Sequence, residues 1–291
     1  MGARRGLAAW RWLFIIEGVI SVVLGGLAWL TLPSTAENAW FLTAEERALM
    51  RARQRRDAVY KGDDQFSWSY AKMALLDPFV YMAAFCLFCS SIPLFGFGTF
   101  LPTIIKGLGY TSLQANYLTI PVYVLACFTL LLASFVSDKL NRRAICAFIV
   151  PMPVLLGYII VIATSNIGAG YFGMFLCAAA PGIYPYNALL LTWVSNNLKP
   201  DYKRSVGIPL FASLANISGL ISSQIYPASD GPRYIMGNSV SLGMEALAML
   251  GIGAIYLLLK RRNAKKDELL AQGVTDNGKE GDRALDFKYA L

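Results

Sequence analysis

The chain has 291 residues, of which 56% are hydrophobic and 15% charged, and it carries a formal net charge of +8. So apolar a composition excludes an ordinary soluble globular domain. With no histidine and no cluster of carboxylates in its apolar runs, it offers no acid–base pair for an enzyme. It has no nucleotide-binding motif, so no cofactor or metal is expected. Seven apolar runs are long enough to cross a bilayer, which takes roughly 20 residues. They are 12–32, 78–105, 114–136, 144–163, 171–195, 206–226 and 238–259. In hydrocarbon every backbone polar group must be satisfied within the chain. The predicted fold is therefore an all-α membrane protein of seven transmembrane helices, with the lipid bilayer as its first partner.

The first 11 residues are basic, but the apolar run after them is too long for a signal sequence and lacks a small-residue cleavage site. It reads as a retained helix. Pro33 ends it and opens the one long loop, 33–77. Inside that loop, LTAEERALMRARQRRDA predicts an interfacial or solvated helix, with Thr43 as N-cap and Glu46 at the reciprocal capping-box position. The six remaining runs group as two triplets, 78–163 and 171–259. The first run of each is interrupted by helix breakers. In 78–105 the interruption is SIPLFGFGTFLP, with Pro93, Gly96, Gly98 and Pro102. In 171–195 it is APGIYPYNALL, with Pro181, Gly182 and Pro185. Proline removes a backbone donor and clashes with the preceding turn. Irregular backbone at membrane depth is tolerated only against protein or a watery cavity. Interrupted spans at matching places in two repeats point to a transporter binding site with hinges at Pro93, Gly96, Gly98, Pro181, Gly182 and Pro185.

Between spans, the loops alternate in charge. The stretches 33–77, 137–143 and 196–205 hold seven, three and three Lys or Arg, and the tail after 259 holds eight. The intervening loops 106–113, 164–170 and 227–237 hold one, none and one. By the positive-inside rule the first group and the C-terminus are cytoplasmic. The basic character is thus a matter of orientation, not of nucleic-acid binding. The five cysteines, Cys86 and Cys89 among them, fall in or beside apolar runs and read as small buried apolar residues. In SDKLNRR, residues 137–143, Asp138 is placed to pair with Arg142 or Arg143. Such a charge-assisted network can latch two helices in one state and release them in another. Two acids, Glu17 and Glu245, lie inside apolar runs, where an ionisable group is a functional candidate by default.

SDKLNRR resembles the cytoplasmic signature of the major facilitator superfamily. WRWLFIIEG (10–18), FLTAEER (41–47), YTSLQAN (110–116), WVSNN (193–197), DGPRY (230–234) and GDRALDFKY (281–289) resemble its allantoate, nicotinate and pantothenate permease branch of anion:cation symporters. The signature departs in Ser134, where the family has Gly, and Lys139, where it has Arg. The resemblance implies the following division of the chain. Residues 1–32 are the sixth and last helix of an N-terminal bundle whose first five helices lie outside this chain. Residues 33–77 are the central cytoplasmic loop, 78–259 the C-terminal six-helix bundle and 260–291 a cytoplasmic tail. It implies secondary active symport of a small organic anion with a proton, across the plasma membrane, by a chain inactive when alone. In that family the first two helices of each triplet line the path. The implied substrate-binding candidates are Phe95, Phe97, Asn116, Tyr123, Tyr184, Tyr186, Asn187, Trp193, Asn216 and Gln224. Aromatic faces with a few amides suit a small ring or carboxylate. Two other readings stay open: a seven-helix receptor, and a membrane remnant that does not transport.

Overall fold

A computed structural model describes residues 8–58, 68–140, 142–179 and 183–291. The chain divides into two compact units, Met1–Val59 and Tyr60–Leu291. In the first, α1 (Ala9–Thr31) is an apolar helix and α2 (Ala44–Ala58) a charged one. Trp40 Nε1 donates to the carbonyl of Thr31 at 3.0 Å and so covers one open acceptor at the end of α1. The capping box forms: Thr43 N donates to Glu46 Oε2 at 2.8 Å, and Glu46 N to Thr43 Oγ1 at 3.3 Å. Those bonds hold the Glu46 carboxyl below its ordinary range.

The second unit opens with α3 (Trp68–Leu75) and α4 (Pro78–Gly107). Asp77 caps α4 by accepting from Phe79 N at 3.1 Å, and Pro78 sits where a missing N–H costs nothing. Next come α5 (Ser112–Leu140), α6 (Arg143–Ile149), α7 (Met152–Ala163), α8 (Ile167–Ala179) and α9 (Ile183–Asn197). The chain continues through α10 (Asp201–Asn216), α11 (Ser218–Ser222) and α12 (Ile235–Ala271). Helix α4 is the axis of the unit and packs on α5, α9, α10, α11 and α12. One apolar cluster surrounds Phe79, Trp193, Phe211, Ile255 and Leu259, near the chain's C-terminal tail. Another surrounds Phe97, Ile105, Val122, Tyr158 and Tyr226.

Several predicted boundaries move. Among the described residues, six helical segments are long and apolar enough to cross a membrane. Over the predicted span 171–195 the described helical residues belong to α8, which ends at Ala179, and α9, which is described from Ile183. Pro181 and Gly182 lie outside the described residues. SIPLFGFGTFLP does not break its helix, since α4 runs through it. Pro102 withholds the donor that would reach the Gly98 carbonyl, and the Tyr123 hydroxyl donates to that oxygen instead, at 3.5 Å. A Cβ on Gly96 would sit 2.8 Å from the Tyr226 ring, so this glycine allows a close side-chain approach. Helix α5 outlasts its apolar run, placing Ser137–Leu140 of SDKLNRR in helix instead of loop. Helix α12 also continues 12 residues past the predicted end at 259, because KRRNAKKDELLA is rich in helix formers.

The predicted boundary at 260 has no counterpart in the packing. Residues 281–291 fold back onto the end of the bundle. Lys203 Nζ, fully buried, meets Asp77 Oδ2 at 2.6 Å and Asp282 Oδ2 at 2.7 Å. Arg262 reaches the other Asp77 oxygen at 2.8 Å. Burial pushes both carboxyls up. Lys203 and Arg262 outweigh it at Asp77, which stays below the usual carboxylate range, but not at Asp282, which stands above it. Asp77's contribution to stability is therefore full at neutral pH and is lost as the pH falls through its lowered value; Asp282 works in the opposite sense.

Removing one member of a buried ion pair strands the other and costs about 3–5 kcal/mol. Lys203→Met should lower the melting temperature in detergent sharply. Lys199→Met, which breaks only the partly exposed Lys199–Asp201 pair at 3.7 Å, should cost about 0–1 kcal/mol. Similar melting curves for both variants would show that the cluster does not hold the fold.

Candidate functional site

Four of the predicted positions converge on one partly open face. The Tyr123 and Tyr184 rings stand 6.4 Å apart, edge to face. The Tyr184 hydroxyl comes within 4.0 Å of a Cβ position built on Gly98, and Phe95 packs 3.8 Å from one built on Gly219. Phe95 and Tyr123 are each 36% exposed. Asn187 lies one turn after Tyr184 on α9, and its Oδ1 is buried with no hydrogen-bond partner among the described residues. Tyr184 and Asn187 lie one turn apart in the described part of α9, Ile183–Asn197. The face thus joins aromatic rings to one buried amide oxygen.

Other predicted positions do not join it. Phe97 is buried in the apolar cluster around Ile105. Tyr186 is fully buried and donates to the carbonyl of Ala248 at 3.3 Å. Trp193 is fully buried and donates through Nε1 to the carbonyl of Ala290 at 2.7 Å, which makes it a tail contact. Pro185 is buried inside α9 and Pro93 inside α4. Asn116 and Gln224 are exposed, and the exposed Asn216 turns its amide back to the carbonyl of Ala212.

In the signature stretch, Arg143 meets Asp138 at 3.1 Å and also donates to the carbonyl of Thr192 on α9 at 3.2 Å. Asp138 is 70% exposed and Arg143 only 16%. The ion pair alone is worth little at that exposure, while the main-chain contact ties α6 to α9. Arg142 precedes α6 and makes no side-chain cap. Glu17 is exposed on α1. Glu245, on α12, is fully buried, and among the described residues its carboxylate has no cation beside it. At its side is the Ser90 hydroxyl of α4.

The Major Facilitator Superfamily model matches residues 3–223. An uncharacterized transporter of Schizosaccharomyces pombe is 39% identical over 282 residues, 97% of this chain and 56% of its own length. Another from the same yeast is 39% identical over 291 residues, 98% of this chain and 57% of its own length. The high-affinity nicotinic acid transporter of Saccharomyces cerevisiae is 28% identical, covering 97% of this chain and 54% of its own length. The chain belongs to the Major Facilitator Superfamily. It spans a little over half the length of these relatives, and no solved structure matches it. Superfamily membership and the apolar helices together make it a multi-pass membrane protein.

Sequence reasoning missed how this superfamily member uses its tail. Leu285, Phe287 and Tyr289 are buried while Asp286 and Lys288 between them are exposed, the alternation of an extended segment lying on a surface. Asn197 donates to the Ala290 carbonyl at 3.1 Å and accepts from Ala290 N at 2.8 Å. Asn263 grips Tyr289 N and O in the same two-way manner, each at 2.9 Å. Gly281 turns the chain at φ +65°, and a Cβ there would lie 2.6 Å from the Lys199 carbonyl. The alternation in LDFKY was the available signal. The asparagines gave none, because nothing local shows that their partner lies at the far end of the chain.

Gly281→Val should therefore release the tail, through backbone strain and the clash at Lys199. Hydrogen exchange at residues 285–291 should rise to nearly the rate of an unprotected segment, whereas Gly278→Val, also at positive φ but with open space around it, should leave it low. Equal exchange in the two variants would mean that the turn does not hold the tail.

Proposed function

We propose that this chain is the substrate-path bundle of a secondary active transporter that carries a small organic anion together with a proton. The observation that carries this reading is the half-open face of Phe95, Tyr123 and Tyr184, beside the buried Asn187 Oδ1. Aromatic rings offer a planar ligand low-cost apolar contact, and a few polar groups fix its orientation. The similarity to a nicotinic acid transporter fits a small aromatic carboxylate. Transport follows from different affinity in inward- and outward-open states, with no covalent step.

Glu245 supports the proton part. A lone carboxylate in a membrane interior is costly unless it is paired or protonated, and such groups mark proton paths. The tail and the basic loops lie on the cytoplasmic side in this reading, and Asp138 with Arg143 serves as a latch on α9.

In a transporter of full family length, Tyr184→Ala and Asn187→Ala should each raise the KM for uptake, by up to about tenfold for one lost hydrogen bond. Cys127→Ala, exposed on α5, should not. Equal changes at all three positions would show a packing effect and end the substrate assignment. Glu245→Gln should flatten the pH dependence of uptake at unchanged membrane abundance; an unaltered pH profile would remove Glu245 from the coupling and leave the aromatic face standing.

A further inference from the structure

Where α12 leaves its apolar stretch, the helix and the refolded tail enclose a cavity of about 240 Å³. Its wall carries five cations, Arg262, Lys265, Lys266, Lys279 and Arg283, together with the Tyr289 ring and no carboxylate. Two of these cations are already engaged. Arg262 bonds Asp77, and Lys266 donates to the carbonyls of Asp282 and Phe287 at 2.6 and 2.7 Å. Lys266 also lies 4.4 Å over the Tyr289 ring, so both cations are anchored in place. Of the carboxylates nearby, Asp282 meets Lys203, Asp267 meets Lys288, and Glu280 accepts from Tyr70, while Asp286, exposed on the tail, acts on Lys266 from outside the wall. Lys265, Lys279 and Arg283 have no ion-pair partner among the described residues.

A concave site with five cations and no acid is built for an anion of several charges. Its height on the bundle narrows the class. The last buried apolar residue of α12 is Leu259, and Arg262 follows three residues later, about 4–5 Å along the helix. That is the depth of a phospholipid headgroup, and Lys265 and Lys266 reach about 5 Å further. Basic pockets at this level, on the face the positive-inside rule assigns to the cytoplasm, suit phosphorylated headgroups. Arginine offers paired donors to a phosphate, and lysine a compact charge.

We infer that this cavity binds a multiply phosphorylated anion, either a polyphosphoinositide headgroup or a soluble polyphosphorylated polyol, and that binding fastens the tail to α12. The second part follows from linkage. Lys265 belongs to the helix, while Lys279 and Arg283 belong to the tail, so a ligand touching both binds only the docked arrangement and stabilises it. The inference is independent of the substrate face on α4, α5 and α9.

The test uses the full chain in phosphatidylcholine nanodiscs. One arm adds inositol hexakisphosphate to the solution; the other includes phosphatidylinositol 4,5-bisphosphate in the disc. Hydrogen exchange of residues 277–291 and equilibrium binding are the readouts. The expected result is slowed exchange in at least one arm, with Lys265→Gln/Arg283→Gln weakening binding about tenfold or more. Lys260→Gln/Arg261→Gln removes the same two charges from exposed positions outside the cavity and should weaken it less than threefold. Binding in the soluble arm alone identifies a free metabolite, and in the disc arm alone a lipid. Equal losses in the two double variants, or no slowing of exchange in either arm, would overturn the site.

Discussion

Lys203 is the constraint on which the bundle's C-terminal end depends. One buried ammonium is shared between Asp77, at the start of α4, and Asp282, in the tail. Arg262 of α12 closes the group from the other side of Asp77. Taking such charges out of water is expensive, and the arrangement holds only while each has its partner. It therefore fixes four separate pieces of chain at once: α4, α10, α12 and the tail. The extension of α12 beyond its apolar stretch is held by the same docked tail, since the buried Lys266 donates to the tail carbonyls of Asp282 and Phe287.

Two stretches that resemble the family in sequence prove to be partners in space. WVSNN supplies Trp193 and Asn197, four residues apart and so on one face of α9, and both donate to the Ala290 carbonyl. Thr192, next to Trp193, gives its carbonyl to Arg143 of the signature. The C-terminal half of α9 is thus gripped by the tail on one side and by the signature on another. Its N-terminal half carries Tyr184 and Asn187, at the open face.

The helices were legible in the sequence because apolar length alone nearly determines them in a membrane protein. Their ends were less so. Hydropathy marks where hydrocarbon stops, not where a helix stops, which is why α5 and α12 outran their predicted limits. The aromatic face was half legible. Tyr184 and Asn187 are near a dense run of helix breakers, but side chains one or two positions apart on a helix point in different directions. Tyr186 turns inward for that reason, and Trp193, seven residues further on, shares its face. The ion cluster was hidden: Lys203 counted as one more inside charge, and no local pattern joins residues 77, 203, 262 and 282.

In α4 the carbonyl freed by Pro102 faces α5, where Tyr123 supplies a hydroxyl, so the helix stays whole and its proline becomes an interhelical contact. That contact places Tyr123 beside Tyr184. A continuous α4 also carries Asp77 at one end and Phe95 and Gly98 further along, so the ion cluster and the aromatic face stand on one rigid element. From Asp77 to Gly98 is 21 residues, about 32 Å of helix. Helix α9 makes a second link, shorter in length, from Tyr184 to Trp193 over nine residues, about 14 Å. The docked tail thus meets two of the three helices that carry the face, α9 directly and α4 through Lys203, and neither can shift its end of the bundle without disturbing contacts made by Asp282 or Ala290.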